Sequence, residues 1–298
     1  MMTITKQFKI EVREALLAIR PNFDGSDGQF AKSYGINGAV FSRIKKGQVD
    51  GVLADVSWIS IGRELNVGAK ETKWKTARTD VFTTIEEDVK FCKEFSKSMI
   101  FVDDCEIGKT HTARYLSKTM RNCFYIDGSQ AKTQQQLIKR LARCLGVDQI
   151  GNLVSIKENI KYYLKLIEKP VIIIDEAGDL KYEAFLELKE FWNATEGFCG
   201  WYMIGADGLR AKINRGVTNQ KVGYRELFSR FGSKYSTVVP KNQQEKTFFY
   251  RKLIRDVLAA NMQDNALIDE VIKKCIAKDA EDNIGGLRRA ESILILNQ

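Results

Sequence analysis

The chain has 298 residues, a formal net charge of +9 and 44% hydrophobic residues, with only three prolines. That length suits two domains, and the composition builds an ordinary buried core while excluding a fibrous or disordered protein. No apolar run reaches the roughly 18 residues of a membrane span, and the opening Met1–Lys6 lacks a signal peptide's apolar stretch, so a cytoplasmic protein with no membrane partner is expected.

In chain order, residues 1–68 read as short helices separated by glycine turns. Phe30 and Ala31 belong to a helix that ends near Gly35. Asn37 then caps a second helix whose Val40, Phe41 and Ile44 face inward. The spacing fits an all-α helix-turn-helix domain and resembles that of phage-repressor-like domains. Its second helix would offer Ser42, Arg43, Lys45 and Lys46 to a DNA groove. A small helical bundle used for protein contacts gives the same pattern. Residues 69–90, with the polar run Lys70-Glu71-Thr72-Lys73-Trp74-Lys75, read as a linker.

From residue 91 to residue 240, apolar runs of strand length alternate with longer helical patterns. Ser98–Val102, Cys123–Asp127, Val171–Asp175 and Gly200–Gly205 are the expected strands, and 109–120, 134–146, 154–167 and 181–194 the expected helices. This alternation predicts an α/β domain, a mostly parallel sheet with helices on both faces. After Pro240 the strand signal stops. Helices over 243–261, 265–278 and 285–296 make residues 241–298 a small helical lid.

Two motifs carry chemistry. The strand Ser98–Val102 runs into Asp103-Asp104-Cys105-Glu106-Ile107-Gly108-Lys109-Thr110 and then a helix. In a P-loop of this shape the segment from Asp104 to His111 wraps phosphates with backbone N–H groups. The lysine reaches the outer phosphates and the Thr110 hydroxyl binds Mg2+. Asp103 stands where the motif's first glycine belongs, and Asp103, Asp104 and Glu106 bring negative charge close to the phosphates, so their side chains must point away or be paired. About 65 residues on, Val171-Ile172-Ile173-Ile174-Asp175-Glu176 is a continuous apolar strand ending in two acids. Its carboxyl end is where such sheets place ligands. Asp175 would hold magnesium and Glu176 would orient the attacking water. The cofactors expected are ATP and Mg2+.

Further signals are weaker. Asp207, beyond the fourth strand, sits where a polar group can sense a γ-phosphate. Arg230 in Leu227-Phe228-Ser229-Arg230-Phe231 suits an arginine supplied to a neighbouring subunit, and Arg288 opens the last helix. Residues 211–255 hold eleven of the cations (Lys212, Arg215, Lys221, Arg225, Arg230, Lys234, Lys241, Lys246, Arg251, Lys252, Arg255) against Glu226 and Glu245. Such a stretch favours a polyanionic partner, or else is a solvated or subunit-contact face. The six cysteines are scattered and His111 is the one histidine, so free thiols are expected and a zinc site is not.

Taken together, the order Gly108-Lys109-Thr110, Ile173-Ile174-Asp175-Glu176-Ala177, Gly205-Ala206-Asp207-Gly208-Leu209, Leu227–Phe231 and Gly285-Gly286-Leu287-Arg288-Arg289-Ala290 resembles the AAA+ ATPases of the initiator-like transposition group. The match is to the phage Mu B type, with the IstB and TnsC proteins more distant. The resemblance spans almost the whole chain and implies an AAA+ P-loop core with a helical lid. It makes Arg230 an arginine finger and Arg288 a lid sensor. It further implies binding of double-stranded DNA without sequence preference, ATP-dependent self-association into a helical oligomer, recruitment of a DDE transposase, and slow hydrolysis given Asp103. DNA would touch loops after the second and third strands, which here offer Lys132, Thr133 and Lys181. Two alternatives stay open: a replication helicase loader, and an ATP-binding regulator of DNA that does not hydrolyse.

Overall fold

Five parallel strands organise the molecule: β1 (Ser98–Val102), β2 (Cys123–Asp127), β3 (Val171–Asp175), β4 (Gly200–Gly205) and β5 (Tyr235–Ser236), in the order β2-β3-β4-β1-β5. In this computed structural model, residues 4–65, 67, 75–149, 151–262, 265–277 and 284–296 are described. The run Val171–Asp175 is buried along its whole length because helices cover both faces of the sheet. Alternate residues point to opposite sides, Ile172 and Ile174 into one core and Val171 and Ile173 into the other. The four longer strands have the bounds expected from sequence. The two-residue β5, beside β1, carries too short an apolar run to be expected.

Fourteen α-helices are present among the described residues. The first four are α1 (Lys6–Ile19), α2 (Asp27–Ser33), α3 (Gly38–Lys45) and α4 (Asp55–Leu65). Next come α5 (Asp80–Phe95), α6 (Lys109–Thr119), α7 (Gln134–Leu145), α8 (Leu153–Leu166), α9 (Tyr182–Ala194), α10 (Asp207–Thr218) and α11 (Tyr224–Arg230). The last are α12 (Gln243–Asn261), α13 (Asn265–Ile276) and α14 (Leu287–Leu296). The segment expected as a linker is different in its second half. Residues 69–74 lie outside the described residues, but from Asp80 onward the chain is helical. Thr79 caps α5 by accepting from the Phe82 N–H at 3.1 Å, and Val81, Phe82, Ile85, Val89 and Cys92 form its buried stripe. Residues 80–90 are therefore core, their polar appearance coming from the outward side of an amphipathic helix.

The N-terminal helices do not stand apart from the sheet. A turn at Gly35, with φ at +68°, separates α2 from α3, and the Asn37 side chain caps α3 while Phe41 and Ile44 are buried. One continuous cluster of buried residues then runs from Leu16, Phe41 and Trp58 through Leu137 and Leu141 to Ile172 and Trp201. Polar contacts reinforce it. Asn122 accepts from the Asp24 N–H at 3.1 Å and donates to the Glu168 carbonyl at 2.7 Å. The Arg121 guanidinium pairs with the Asp24 carboxylate. Behind α7, Gly146 has φ at +67°, and a Cβ there would meet the Gln29 carbonyl oxygen at 2.2 Å.

Two outcomes are expected. Gly146→Ala combines a left-handed backbone with a main-chain clash, so it costs about 2 kcal/mol or more in urea unfolding; an unchanged midpoint contradicts this packing. The hydrogen bond from Arg121 foremost holds the Asp24 carboxyl below the usual carboxylate range. A depressed folded value means that its contribution is complete above the unfolded pKa of about 4 and is lost as pH falls through the lower folded value. Limited proteolysis at falling pH should release the N-terminal helices in that window, and Asp24→Asn should flatten the dependence.

Candidate functional site

The loop between β1 and α6 is shaped by its glycine. Gly108, with φ at +94°, turns the chain so that α6 opens on Lys109 and Thr110, and its first-turn N–H groups have no helical acceptor. The Lys109 ammonium folds back and donates to the carbonyls of Asp103 and Asp104, at 2.7 and 2.5 Å. Burial pushes its pKa down, against the pull of Asp103, Glu176 and Asp175. A partly desolvated ammonium beside a helix N-terminus is a strong anion site.

Two acids of this loop, Asp103 and Asp104, have their carboxylates engaged elsewhere. Asp103, 7% exposed, accepts the main-chain N–H groups of Val238 and Val239 on one oxygen, at 2.6 and 2.9 Å, and that of Asp104 on the other at 2.9 Å. Asp104 accepts the Tyr250 hydroxyl at 2.9 Å and pairs with Lys246 at 2.6 Å. Glu106, at φ +62°, offers its carbonyl to the Leu287 N–H at 2.9 Å. Pairing of this kind is what the loop needs if phosphates are to approach.

The end of β3 supplies the second half of the site. Asp175, 1% exposed, accepts the Tyr125 hydroxyl at 3.1 Å and the Glu176 N–H at 3.0 Å. Glu176 follows in a left-handed conformation, φ +48°, and burial, then the neighbouring Asp175 charge, pushes its carboxyl up. Gly128 permits this arrangement, because a Cβ at that position would lie 2.6 and 2.7 Å from the Glu176 and Asp175 carbonyl oxygens.

These pieces meet around a cavity of about 350 Å³. Cys105 to Thr112, Glu176, Ala206 and Arg288 line it, together with a largely apolar wall from Ala77, Thr79, Phe82, Val257, Leu258, Leu287 and Ala290. A lining that combines phosphate donors with aromatic and aliphatic side chains suits a nucleotide. Among the described residues no group of three or more His, Cys, Asp or Glu could hold a metal ion. Mg2+ is usually held by one or two carboxylates with phosphate oxygens. The oxygen donors here are the Thr110 hydroxyl and Glu176 on the cavity wall, with the Asp175 carboxylate buried next to Glu176 and accepting from Tyr125 and the Glu176 N–H.

Of the residues expected from sequence, Cys105 through His111 and Glu176 line this cavity and Arg288 joins them from α14. Asp104 faces the lid instead, and Asp175 lies buried behind Glu176. Asp207 does not line the cavity. Its side chain is 83% exposed and faces Arg210 at 3.5 Å, because α10 begins there and directs it outward. Arg230 is also away from the cavity, donating to the Asn193 side chain at 2.6 Å above the Trp192 ring. Lys132 and Lys181 are brought together, since the Lys181 N–H donates to the Lys132 carbonyl at 2.7 Å, while the Thr133 hydroxyl caps α7. Lys132 pairs with Asp179 at 3.1 Å. On α3, Ser42, Arg43, Lys45 and Lys46 are exposed, with Lys45 paired to Asp27 at 2.7 Å and Arg43 bonded to Gln48 at 3.0 Å.

Part of the basic stretch 211–255 is engaged within the molecule. Lys212 donates to the Gly178 and Leu180 carbonyls, Lys221 sits 3.8 Å from the Tyr182 ring centre, and Lys246, Lys252 and Arg255 pair with Asp104, Asp80 and Asp269. Arg215, Arg225, Lys234, Lys241 and Arg251 have no ion-pair partner among the described residues. Sequence reasoning missed Gly128, Tyr125 and the apolar wall. Asp127-Gly128-Ser129 carries a turn signal, whereas Phe82 and Val257 look like ordinary helix residues.

Residues 97–213 match the family model described as an AAA domain. No curated protein sequence matches the chain. Among solved structures the chain is similar to Cdc6p from Pyrobaculum aerophilum, with a TM-score of 0.53 at 15% identity over 72% of this chain and 59% of that one. It is also similar to the Orc1 protein of Aeropyrum pernix, a structure in complex with DNA, with a TM-score of 0.49 at 15% identity over 70% and 58% of the two chains. The chain thus spans under two thirds of the length of either. What the family model and the Cdc6p likeness establish is the fold, a five-stranded AAA+ sheet with helices on both faces and helical regions before and after it.

Gly128→Ala should push the ends of β2 and β3 apart and displace Asp175 and Glu176. Affinity for ATP with Mg2+, read by calorimetry, should fall by about tenfold or more while the protein stays folded by circular dichroism. Unaltered affinity contradicts the close packing of these strand ends.

Proposed function

We propose that this chain binds ATP with Mg2+, self-associates in response into a helical oligomer on double-stranded DNA, and in that form recruits or activates a DDE transposase. This is the role of the Mu B type proteins that its motifs resemble. The observation that carries the reading is the single cavity lined by Gly108, Lys109, Thr110, Glu176 and Arg288 together with apolar side chains. There the α6 N-terminus and Lys109 hold phosphates, Thr110 and Asp175 hold the metal, and Arg288 brings positive charge from the lid. Magnesium bound in this way would neutralise phosphate charge.

Glu176 is the group placed to orient water for hydrolysis. Arg230, engaged with Asn193 outside its own cavity, is suited to serve a neighbouring subunit's γ-phosphate. A site completed by the next subunit links nucleotide to assembly. Asp207, pointing to solvent, leaves the γ-phosphate without an obvious sensor at that position and agrees with slow turnover.

DNA contact rests on electrostatics. Lys132 and Lys181 adjoin at the carboxyl edge of the sheet, and α3 exposes Ser42, Arg43, Lys45 and Lys46. Phosphate contacts by such cations bind without sequence preference and respond to salt.

Electron microscopy of the protein with duplex DNA and a non-hydrolysable ATP analogue tests the reading. An ordered helical coat should form with the analogue, not with ADP, and Lys109→Ala should abolish it. Replacing both Lys132 and Lys181 by alanine should weaken duplex binding and reduce the slope of log affinity against log salt by about 0.9 for each phosphate no longer neutralised. Protein that stays monomeric with ATP and DNA overturns the reading, and a clear preference for single strands redirects it to a helicase loader.

A further inference from the structure

We infer that Asp103 is a positioning residue that fastens the phosphate-binding loop to the start of the helical lid, so that loop and lid form one mechanical unit. A P-loop ordinarily has glycine at this position, and an acid there reads as a defect when only the sequence is considered. In the fold its carboxylate is fully used. One oxygen takes the N–H groups of Val238 and Val239 at 2.6 and 2.9 Å, and the other takes the Asp104 N–H at 2.9 Å. Val238 and Val239 close the connection from β5 to α12, just before Pro240. Val239 is buried, so its N–H needs an acceptor and Asp103 is the one provided.

Three more bonds extend the same fastening. Asp104 accepts from Tyr250 and pairs with Lys246, both on α12. The Glu106 carbonyl accepts the Leu287 N–H at the start of α14, and Gly286 lies so close that a Cβ there would meet Glu106 Cβ at 2.6 Å. Asp103, Asp104 and Glu106 are thus bonded to the approach to α12, to α12 itself and to the start of α14. Lys109 donates to the carbonyls of Asp103 and Asp104, the residues whose side chains hold the connection before α12 and α12 itself. A ligand that draws Lys109 towards phosphate releases those carbonyls and acts directly on the fastened pair. Movement at the loop is therefore passed to α12 and α14 without an intermediate. Only this last step rests on the proposal that the cavity takes ATP.

The carboxylate geometry makes the test specific. Asparagine supplies one oxygen acceptor and turns an N–H donor towards either Asp104 or the valines, so Asp103→Asn keeps only part of the network. Asp103→Gly restores the usual motif and removes all of it. Hydrogen exchange by mass spectrometry on the full chain, with and without ATP and Mg2+, is compared for wild type, both variants and Tyr250→Phe, with folding checked by circular dichroism.

Without nucleotide, amides of Val238 and Val239 should exchange about tenfold or more faster in Asp103→Gly, with Asp103→Asn between it and wild type. With ATP, wild type should gain protection in α12 and α14, and Asp103→Gly should lose that gain even at saturating ATP. Equal exchange at 238–239 in wild type and Asp103→Gly overturns the fastening. Undiminished lid protection in Asp103→Gly overturns the coupling. If wild type binds no ATP, the nucleotide reading fails by itself, while the comparison at 238–239 still decides whether Asp103 holds the lid.

Discussion

A partly desolvated ammonium must be met by acceptors, and among the described residues Lys109 donates to main-chain carbonyls of its own loop. That constraint shapes the site. The loop keeps its carbonyls turned inward to the lysine, the α6 N-terminus adds its first-turn N–H groups, and the carboxylates of Asp103 and Asp104 are engaged elsewhere. Asp103 and Asp104 direct their carboxylates to Val238, Val239, Tyr250 and Lys246. A carboxylate left beside the ammonium would have satisfied it internally and removed the reason for a phosphate to bind.

The sheet order turns this loop into a site. With β1 next to β4 and β4 next to β3, the loop after β1 and the acids after β3 leave the same edge of the sheet, one strand apart. That edge is where a doubly wound sheet opens a crevice. Tyr125 from β2 holds Asp175 in place and Gly128 lets the β2 and β3 ends approach. Helix α5 and the lid close the opposite side with apolar residues. The molecule thus draws the polar lining from the loops after the strands and the start of α14, and the apolar lining from α5, α12 and α14.

Much of this is legible in the sequence because it rests on local pattern. The runs Met99–Val102 and Val171–Ile174 are apolar without interruption, as buried parallel strands must be, and Gly108-Lys109-Thr110 and Asp175-Glu176 occupy their ends. What is not legible depends on partners far along the chain. Asp103 reads as an obstacle to phosphates because the donors it accepts from, Val238 and Val239, lie more than a hundred residues away. Residues 80–90 read as a linker since their polar residues mask the apolar stripe, although Val81, Ile85 and Val89 repeat at helical spacing. The N-terminal helices show their own capping by Asn37, but nothing local announces that Phe41 and Trp58 share a core with Trp201. The basic excess of residues 211–255 overstates the free charge it presents, because Lys212 donates to main-chain carbonyls and Lys246 and Lys252 are paired with Asp104 and Asp80.

On the proposed reading, the α6 N-terminus with Lys109 and the carboxylates at the end of β3 act as one site when nucleotide and Mg2+ are both present. Calorimetric titration of the wild-type chain tests it most directly. ATP with Mg2+ should bind once per chain and more tightly than ATP with a chelator, while Mg2+ alone should give no binding heat. Tight binding of Mg2+ without nucleotide, or no binding of ATP under any of these conditions, would contradict the account.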